Sequence, residues 1–402
     1  MTPQLLNNIS SSVNQFINWL ENYGETSYDH QSFFAGPVGG RAKALYYKKP
    51  LLGTMAVAPM IFFEAFVPSG RKMFGRPERF PIADAHYAMG FSFLSQLTHK
   101  KEYYDKASHF LNILEKIRCP GYQNYCWGYP FNWETRNGTI FTGTPLITVT
   151  PYVYEAFLSV YQLDKNDKWL KIMRSIAEHT IHDIKDFAIS SDASTCSYTP
   201  FDKGGVINAS AYRAFLLTSA SVHLAEEKYW NIGERNLNFV LNSQQPNGSW
   251  YYAIDGVRDF VDHFHTCFVL KALTKIEQLT GHGGCQEAIE KGVRYYISNL
   301  FDEDGLPKPF SKAPRLTVYK NELYDYAECV NVCVLLEDRF PELEGILITV
   351  LQDILARWHK KDGSFRSRKL HFGWDNVPMH RWAQSQLFRS LCFLLYQEKH
   401  IN

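Results

Sequence analysis

The sequence predicts an all-α fold, a single (α/α)6 toroid in which six inner helices are enclosed by outer ones. Three observations predict it. Two kinds of helical segment alternate along the chain, one rich in small residues and apolar nearly all round, the other amphipathic with its charges on one face. Segments of the first kind recur about every sixty residues, the mark of a repeat architecture. Each amphipathic segment runs into a connection rich in Gly, Pro and aromatic residues before the next apolar helix begins.

Taken in order, residues 1–80 read as an N-terminal helical segment packing on the ring, and 81–402 as the toroid. Met1 to Leu20 is polar and amphipathic, without the basic start or unbroken apolar stretch of a secretion signal. Asn14 to Tyr23 is a candidate to pack back and close the ring. The longest apolar run, Leu51 to Val67, is interrupted by Gly53, Pro59 and Glu64 and is short for a bilayer, so it reads as a buried helix. Inner helices are expected to start near Asp84, Thr144, Asn208, His263, Tyr326 and His380. Outer segments run over Tyr103–Arg118, Asp167–His182, Lys228–Asn242, Cys285–Leu300 and Pro341–His359. The connections Cys119–Trp133, Ser243–Gly256 and Lys361–Trp374 lead into inner helices, so they gather on one side of the ring. Together with the N-terminal ends of those helices they line one mouth.

Composition narrows the partners. With 42 Lys and Arg against 41 Asp and Glu, no broad field attracts phosphate backbones, and nucleic acid is excluded as a partner. No transmembrane segment is expected. The eight cysteines are scattered and form no CxxC pair, which fits reduced thiols in the cytoplasm. Aromatic residues are 15% of the chain, and many fall in the connections, where a helical core needs them least. That excess points to stacking surfaces, with the sealing of helix ends as the plain alternative.

Polar residues that a helix interior would not choose cluster where the inner helices start. Asp84 and His86 open the first; Trp133, Glu134 and Arg136 follow in GYPFNWETR. Asp202 and Asn208 come next, then Asp259, Asp262, His263 and His265 in RDFVDHFHTCF. Asp325 and Glu328 lie in ELYDYAEC, and Asp375, His380, Arg381 and Gln384 in GWDNVPMHRWAQ. One side chain suffices to cap a helix, which accounts for Asp202, Asn208 and Asp375. It does not account for Asp262, His263 and His265 together, so this trio is assigned to the pocket. Glu134 has a plain alternative, an ion pair with Arg136. The HxH pair at His263 and His265 invites a metal, but residues two apart on a helix point about 200° apart, so no metal and no cofactor is assigned.

Two connections carry a resemblance. Arg235, Phe239, Val240, Gln245, Gly248 and Trp250, within RNLNFVLNSQQPNGSW, are similar to the QW motif of triterpene cyclases, and RWHKKDGSF is a weaker echo. No DxDD or DDxxD motif accompanies them, so the likeness concerns architecture and not cyclisation. In order, CWGYPFNWETR, SYTPFDKGGVINASAYRA, SQQPNGSWYYAIDGVRDFVDHFHTCF, DEDGLPKPFSK and MHRWAQSQ resemble a bacterial α/α-toroid family associated with surface-polysaccharide biosynthesis loci. The resemblance runs from Asp84 to Tyr396 and implies a glycan context, with polysaccharide-assembly proteins as partners. Its signature positions fall on Trp127, Tyr129, Trp133, Arg136, Trp250, Asp262, His265, Arg381 and Trp382. The long basic approach to the fifth inner helix, DGLPKPFSKAPRLTVYKNELYDYAEC, departs from that pattern and makes a shared substrate doubtful.

The leading functional reading is a carbohydrate-active enzyme, a hydrolase, lyase or epimerase working in the mouth. Hydrolysis needs two carboxylates across the scissile bond, which Asp262 with Glu134, Asp325 or Glu328 could supply. Lyase or epimerase chemistry needs an acid and a base, which His265, His380 and Tyr326 could supply, with Arg136 or Arg381 facing an anionic sugar. Trp127, Tyr129, Trp133, Trp250, Trp382, His263, Asp84 and His86 complete the candidate binding surface. A non-catalytic glycan-binding or scaffolding component is the alternative, and a terpene-cyclase-like enzyme a more distant one.

Overall fold

In the computed structural model, which describes residues 1–401, the chain enters through α1 (Pro3–Tyr23). Thr2 caps that helix, its hydroxyl accepting the Leu5 amide. An excursion follows: α2 (Ser32–Ala35), α3 (Pro37–Lys48), α4 (Pro50–Phe66) and a 3-10 turn at Pro68–Met73. Inner and outer helices then alternate: α5 (Pro81–Thr98) with α6 (Lys101–Lys116), α7 (Thr150–Asp164) with α8 (Asp167–His182), and α9 (Ile207–Leu224) with α10 (Glu227–Asn242). The series continues with α11 (His263–Thr280) and α12 (Gly283–Asn299), then α13 (Leu323–Leu336) and α14 (Glu342–Asp353). A π-helical turn at His380–Gln384 leads into α15 (Ser385–Ile401).

The two helix types differ in burial as their sequences do. Every residue of α9 from Ile207 to Ala220 is buried, whereas α8 buries a stripe at Trp169, Ile172, Met173, Ile176 and Ala177. Each inner helix packs on the next, and α15 returns against α5 to close the ring. Gly90 permits that closure, since a Cβ there would stand 2.5 Å from the Phe388 ring. Fully burying a side chain such as Phe388 contributes about 1.5–3 kcal/mol. Helix α1 packs on α15, in the place of an outer partner.

Four of the five turns from inner to outer helices pass through a left-handed residue: His99, Lys165, Ala225 and Gly281, with φ of 58°, 53°, 55° and 70°. The returns from outer to inner helices are long and pair as short antiparallel strands. They form β1 (Trp133–Thr135) with β2 (Gly138–Ile140), β3 (Asp186–Ala188) with β4 (Ser194–Cys196), and β5 (Val261–Asp262) with β6 (Phe310–Lys312). A three-stranded sheet joins β7 (Tyr319–Glu322), β8 (Arg368–Leu370) and β9 (Trp374–Asp375). Pairings such as β5 with β6 stitch one repeat to the next around the mouth.

The second inner helix starts at Thr150, six residues after the expected Thr144. Leu146 and Ile147 spend their amides on the carbonyls of Trp127 and Tyr198, so they belong to the mouth loops. A second expectation fails outright, because Leu51 to Val67 is helical but not buried. Helix α4 buries Gly53, Met60 and Glu64 and turns Leu51, Leu52, Met55, Phe62 and Phe66 to solvent. The reason is that it packs along α3, over a small core of Phe33, Ala42 and Met60, and leaves its other face to solvent. Gly53 sets this close pairing: a Cβ there would lie 2.0 Å from the Tyr46 Cα. All eight cysteines are buried free thiols. Among the described residues no helix is long and apolar enough to cross a membrane.

Candidate active site

The mouth narrows to a cavity of about 160 Å³ walled mostly by aromatic rings. Tyr129 and Trp133 come from the first connection, Tyr198 and Tyr252 from later ones, and Trp382 from the π turn. The inner helices add Tyr152, Tyr212, Phe264, Phe268 and Tyr324. Five polar groups interrupt this wall: Gln31, Thr148, Asn208, His265 and Arg381. No carboxylate lines it among the described residues.

His265 is the one histidine in this wall, and it is 22% exposed. Asp262, the N-cap of α11, serves it twice. One oxygen accepts the His265 backbone amide at 3.0 Å, and the other accepts from Nδ1 at 2.6 Å. A carboxylate accepts here, so in the neutral imidazole the proton sits on Nδ1 and Nε2 carries the lone pair. Nε2 has no protein partner among the described residues, and the ring packs edge-on to Tyr252 and Phe268. This is the geometry of a base held in one tautomer by a buried acid.

Arg381 is differently disposed. Its guanidinium gives two hydrogen bonds to Asp29, at 2.9 and 2.7 Å, and lies 4.5 Å from the Tyr129 ring centre and 4.6 Å from that of Trp382. Burial would raise the Asp29 carboxyl, but Arg381 outweighs it and holds that group well below the usual carboxylate range. The cation is therefore neutralised from within the protein. Asp29 precedes α2, so the excursion supplies part of the mouth.

Beneath the cavity the ring axis is polar. Tyr152 and Tyr212 share a 2.7 Å hydrogen bond, and Lys271 reaches the Tyr152 hydroxyl at 3.4 Å while pairing with Glu328. Burial drives the pKa of the Lys271 ammonium down and those of both tyrosines well above 10. Those hydroxyls stay neutral and act as hydrogen-bond groups.

Of the residues picked out from sequence, Tyr129, Trp133, His265, Arg381 and Trp382 meet in the cavity wall, with Asp262 directly behind. The others do not. Trp127 is fully buried, its Nε1 donating to the Leu114 carbonyl, and Trp250 donates likewise to Val240. Both pin a connection to its outer helix, so neither offers a stacking face. His263 turns away into the core, bonded to Tyr296 and the Leu300 carbonyl, so it and His265 share no ligand. His380 is locked between Tyr87 and the Gly24 carbonyl, and burial lowers its pKa to about 4. Asp84 is held by Arg79. His86 lies under the floor against Tyr152, both ring nitrogens unpartnered. Asp325 is sealed with neither oxygen bonded, and burial beside Glu322 and Asp262 raises its carboxyl well above the usual range. Glu328 is engaged by Lys271 and Gln386 below the floor. Glu134 accepts from Thr139 on the β1–β2 hairpin and does not pair with Arg136, which is exposed. Tyr326 faces Trp358 toward the outer ring.

The reading of caps also needs correction. Asn208 caps nothing: it lies inside α9 with its side-chain oxygen unpartnered, in the cavity wall. Asp202 ties a turn through the amides of Tyr198, Thr199 and Gly204, and Asp375 pairs with Arg71. Gln31, Tyr198 and Tyr252 were missed, and so were Tyr152, Tyr212 and Tyr324, because apolar inner helices give no sign of which face meets the axis.

No family model and no curated protein matches the sequence. Solved structures do. An unsaturated glucuronyl hydrolase specific for heparin superposes with a TM-score of 0.65 at 10% identity, covering 99% of this chain and 98% of its own. Cellobiose 2-epimerase from Bacillus thermoamylovorans B4167 gives 0.64 at 9% identity, over 80% and 88% of the two chains. A sugar epimerase from a ruminal bacterium gives 0.62 at 13%, over the same shares. At such identities the likeness establishes the fold: this chain is an (α/α) toroid.

Proposed function

We propose that this chain is a carbohydrate-active enzyme that moves a proton at the carbon beside a sugar's carbonyl, the step shared by epimerisation and isomerisation. The observation that carries the reading is the His265–Asp262 pair, its free Nε2 at an aromatic cavity without a carboxylate. Nε2 takes the proton from carbon, the bonding pair moves onto the carbonyl oxygen to give an enediolate, and Asp262 stabilises the imidazolium that results; the same nitrogen then returns the proton to the neighbouring carbon, which is isomerisation, or to the opposite face of the first carbon after the enediolate turns, which is epimerisation. The aromatic wall stacks on the apolar faces of the ring, and Asn208 and Gln31 bond its hydroxyls. Hydrolysis by two carboxylates is less well supported, since Asp262 is committed to His265 and Glu134, Asp325 and Glu328 lie off the wall. An anionic sugar is also less well supported, because Arg381 is already paired with Asp29. The toroid neighbours, which include two sugar epimerases, support a sugar as the substrate class. The likeness of CWGYPFNWETR and MHRWAQSQ to proteins of surface-polysaccharide loci supports a role in polysaccharide assembly, and the buried free thiols support the cytoplasm as its place.

A larger groove of about 470 Å³ lies near Tyr251 and Ile254. Its polar lining is Asn242, Ser243, Gln245, Tyr251 and Asp259; the one carboxylate is paired with Lys312, and no histidine lines it among the described residues. The test is to incubate a panel of aldoses and ketoses with the protein in deuterated water and follow exchange at carbon by NMR. Wild type should exchange the proton beside the carbonyl, and His265→Gln should lower that rate at least about a hundredfold. Sugar binding without exchange makes the chain a binding module. Bond cleavage that survives His265→Gln makes it a hydrolase.

A further inference from the structure

The excursion between α1 and α5 bears an apolar surface that the catalytic reading does not use. Helix α4 has its amphipathicity reversed. Toward α3 it presents Gly53, Ala56, Val57 and Met60, and outward it presents Leu51 (88% exposed), Met55 (75%), Phe62 (55%) and Phe66 (52%). Phe66 stacks at 5.8 Å on Phe372, itself exposed, which extends the patch onto the β8–β9 turn. A contiguous apolar surface of this kind marks an interaction site.

Charge says what covers it. Residues 37–66 hold Arg41, Lys43, Lys48 and Lys49 against a single acid, Glu64, and that acid is buried in an ion pair with Arg368 at 2.8 Å. Every exposed charge on the α3–α4 pair is positive. Lys48 and Lys49 sit at its tip, beside Tyr46 and Tyr47 and next to Leu51 and Leu52, the mixture of aromatic, basic and apolar groups that suits a lipid headgroup layer. At 17 residues α4 is about 25 Å long, short of the roughly 30 Å of a hydrocarbon core, so it would lie in the interface and not cross.

We propose that the α3–α4 pair docks this protein on an anionic lipid bilayer, with the apolar face of α4 in the headgroup layer and Lys48 and Lys49 on lipid phosphates. Its base is fixed to the ring by Arg71 with Asp375 and by Glu64 with Arg368, and Gly40 lies beside the Glu134 side chain at the mouth. Docking therefore sets the mouth close to the membrane surface.

The test is co-sedimentation of the full chain with phosphatidylcholine vesicles, with and without phosphatidylglycerol. Wild type should pellet with the mixed vesicles, weakly with the neutral ones, and be released by high salt as screening shortens the reach of its cations. Each basic residue near such a surface is worth about fivefold in partitioning, so K48E/K49E should lose at least about twentyfold. L51S/M55S/F62S should also lose binding. These side chains are exposed, so both variants should melt with wild type, which separates lost docking from lost folding. The proposal is overturned if wild type stays in the supernatant, if neutral vesicles bind it equally well, or if the apolar variant binds unchanged. It is equally overturned if sedimentation velocity finds a dimer that L51S/M55S/F62S dissolves, since the patch then belongs to a second copy. None of these outcomes depends on the catalytic reading.

Discussion

Replacing Asp29 by Asn tests whether the mouth's arginine is held from within the protein. Asp29 and Arg381 are 1% and 2% exposed and share two hydrogen bonds. Removing one partner of a buried pair leaves the other charge without compensation, at a cost of about 3–5 kcal/mol. The rings of Tyr129 and Trp382 flank the guanidinium and offset about 1–2 kcal/mol of that loss. Asp29→Asn keeps an oxygen for the Gln31 amide, a bond of 2.8 Å, so the local turn survives. The expected net destabilisation is about 1–4 kcal/mol. Urea denaturation of wild type, D29N, R381M and the double variant at neutral pH reads it directly, and the double variant should be less unstable than the sum of the singles by at least about 1.5 kcal/mol. If D29N lies within about 0.5 kcal/mol of wild type and the effects add, Arg381 is not neutralised by Asp29. Its guanidinium is then available to an anionic sugar.

Two further outcomes follow from other residues. His380 has its pKa lowered from 6.5 to about 4, so on acidification the unfolded chain binds its proton first; this contribution is complete above about pH 6.5 and is lost as pH falls toward 4. It amounts to on the order of 3 kcal/mol, and denaturation midpoints of wild type and H380Q across that window should converge as pH falls; parallel curves would refute it. Trp250→Phe removes the Nε1 bond to Val240 and part of a buried ring, costing about 1–3 kcal/mol by the same assay, while sugar affinity by calorimetry stays unchanged. A matching loss of affinity at full stability would return Trp250 to the binding surface.

Much of the ring was legible because burial and periodicity are written in the same residues. Helix α8 spans Asp167–His182 as its apolar spacing predicts, and α11 begins at His263 as expected. The mouth was legible only in part. Its polar side chains stand out at helix starts, but polarity alone does not separate His265, which faces the cavity, from His263, two residues earlier and bonded to Tyr296. Likewise a tryptophan in a connection reads the same whether it lines a cavity, as Trp133 does, or pins an outer helix, as Trp127 does. Helix α4 misled for a different reason. Its composition is that of a core helix, but α3, α2 and the 3-10 turn pack against it without covering Leu51, Met55, Phe62 and Phe66.

With His265 Nε2 as the base and a sugar in the mouth, a crystal structure with a bound aldose or ketose should show a ring stacked against the mouth's aromatic wall, with the carbon beside the carbonyl within about 3.5 Å of Nε2. A sugar in the groove at Tyr251 and Ile254, or one in the mouth with His265 out of reach and two carboxylates closing on its anomeric carbon, would contradict it.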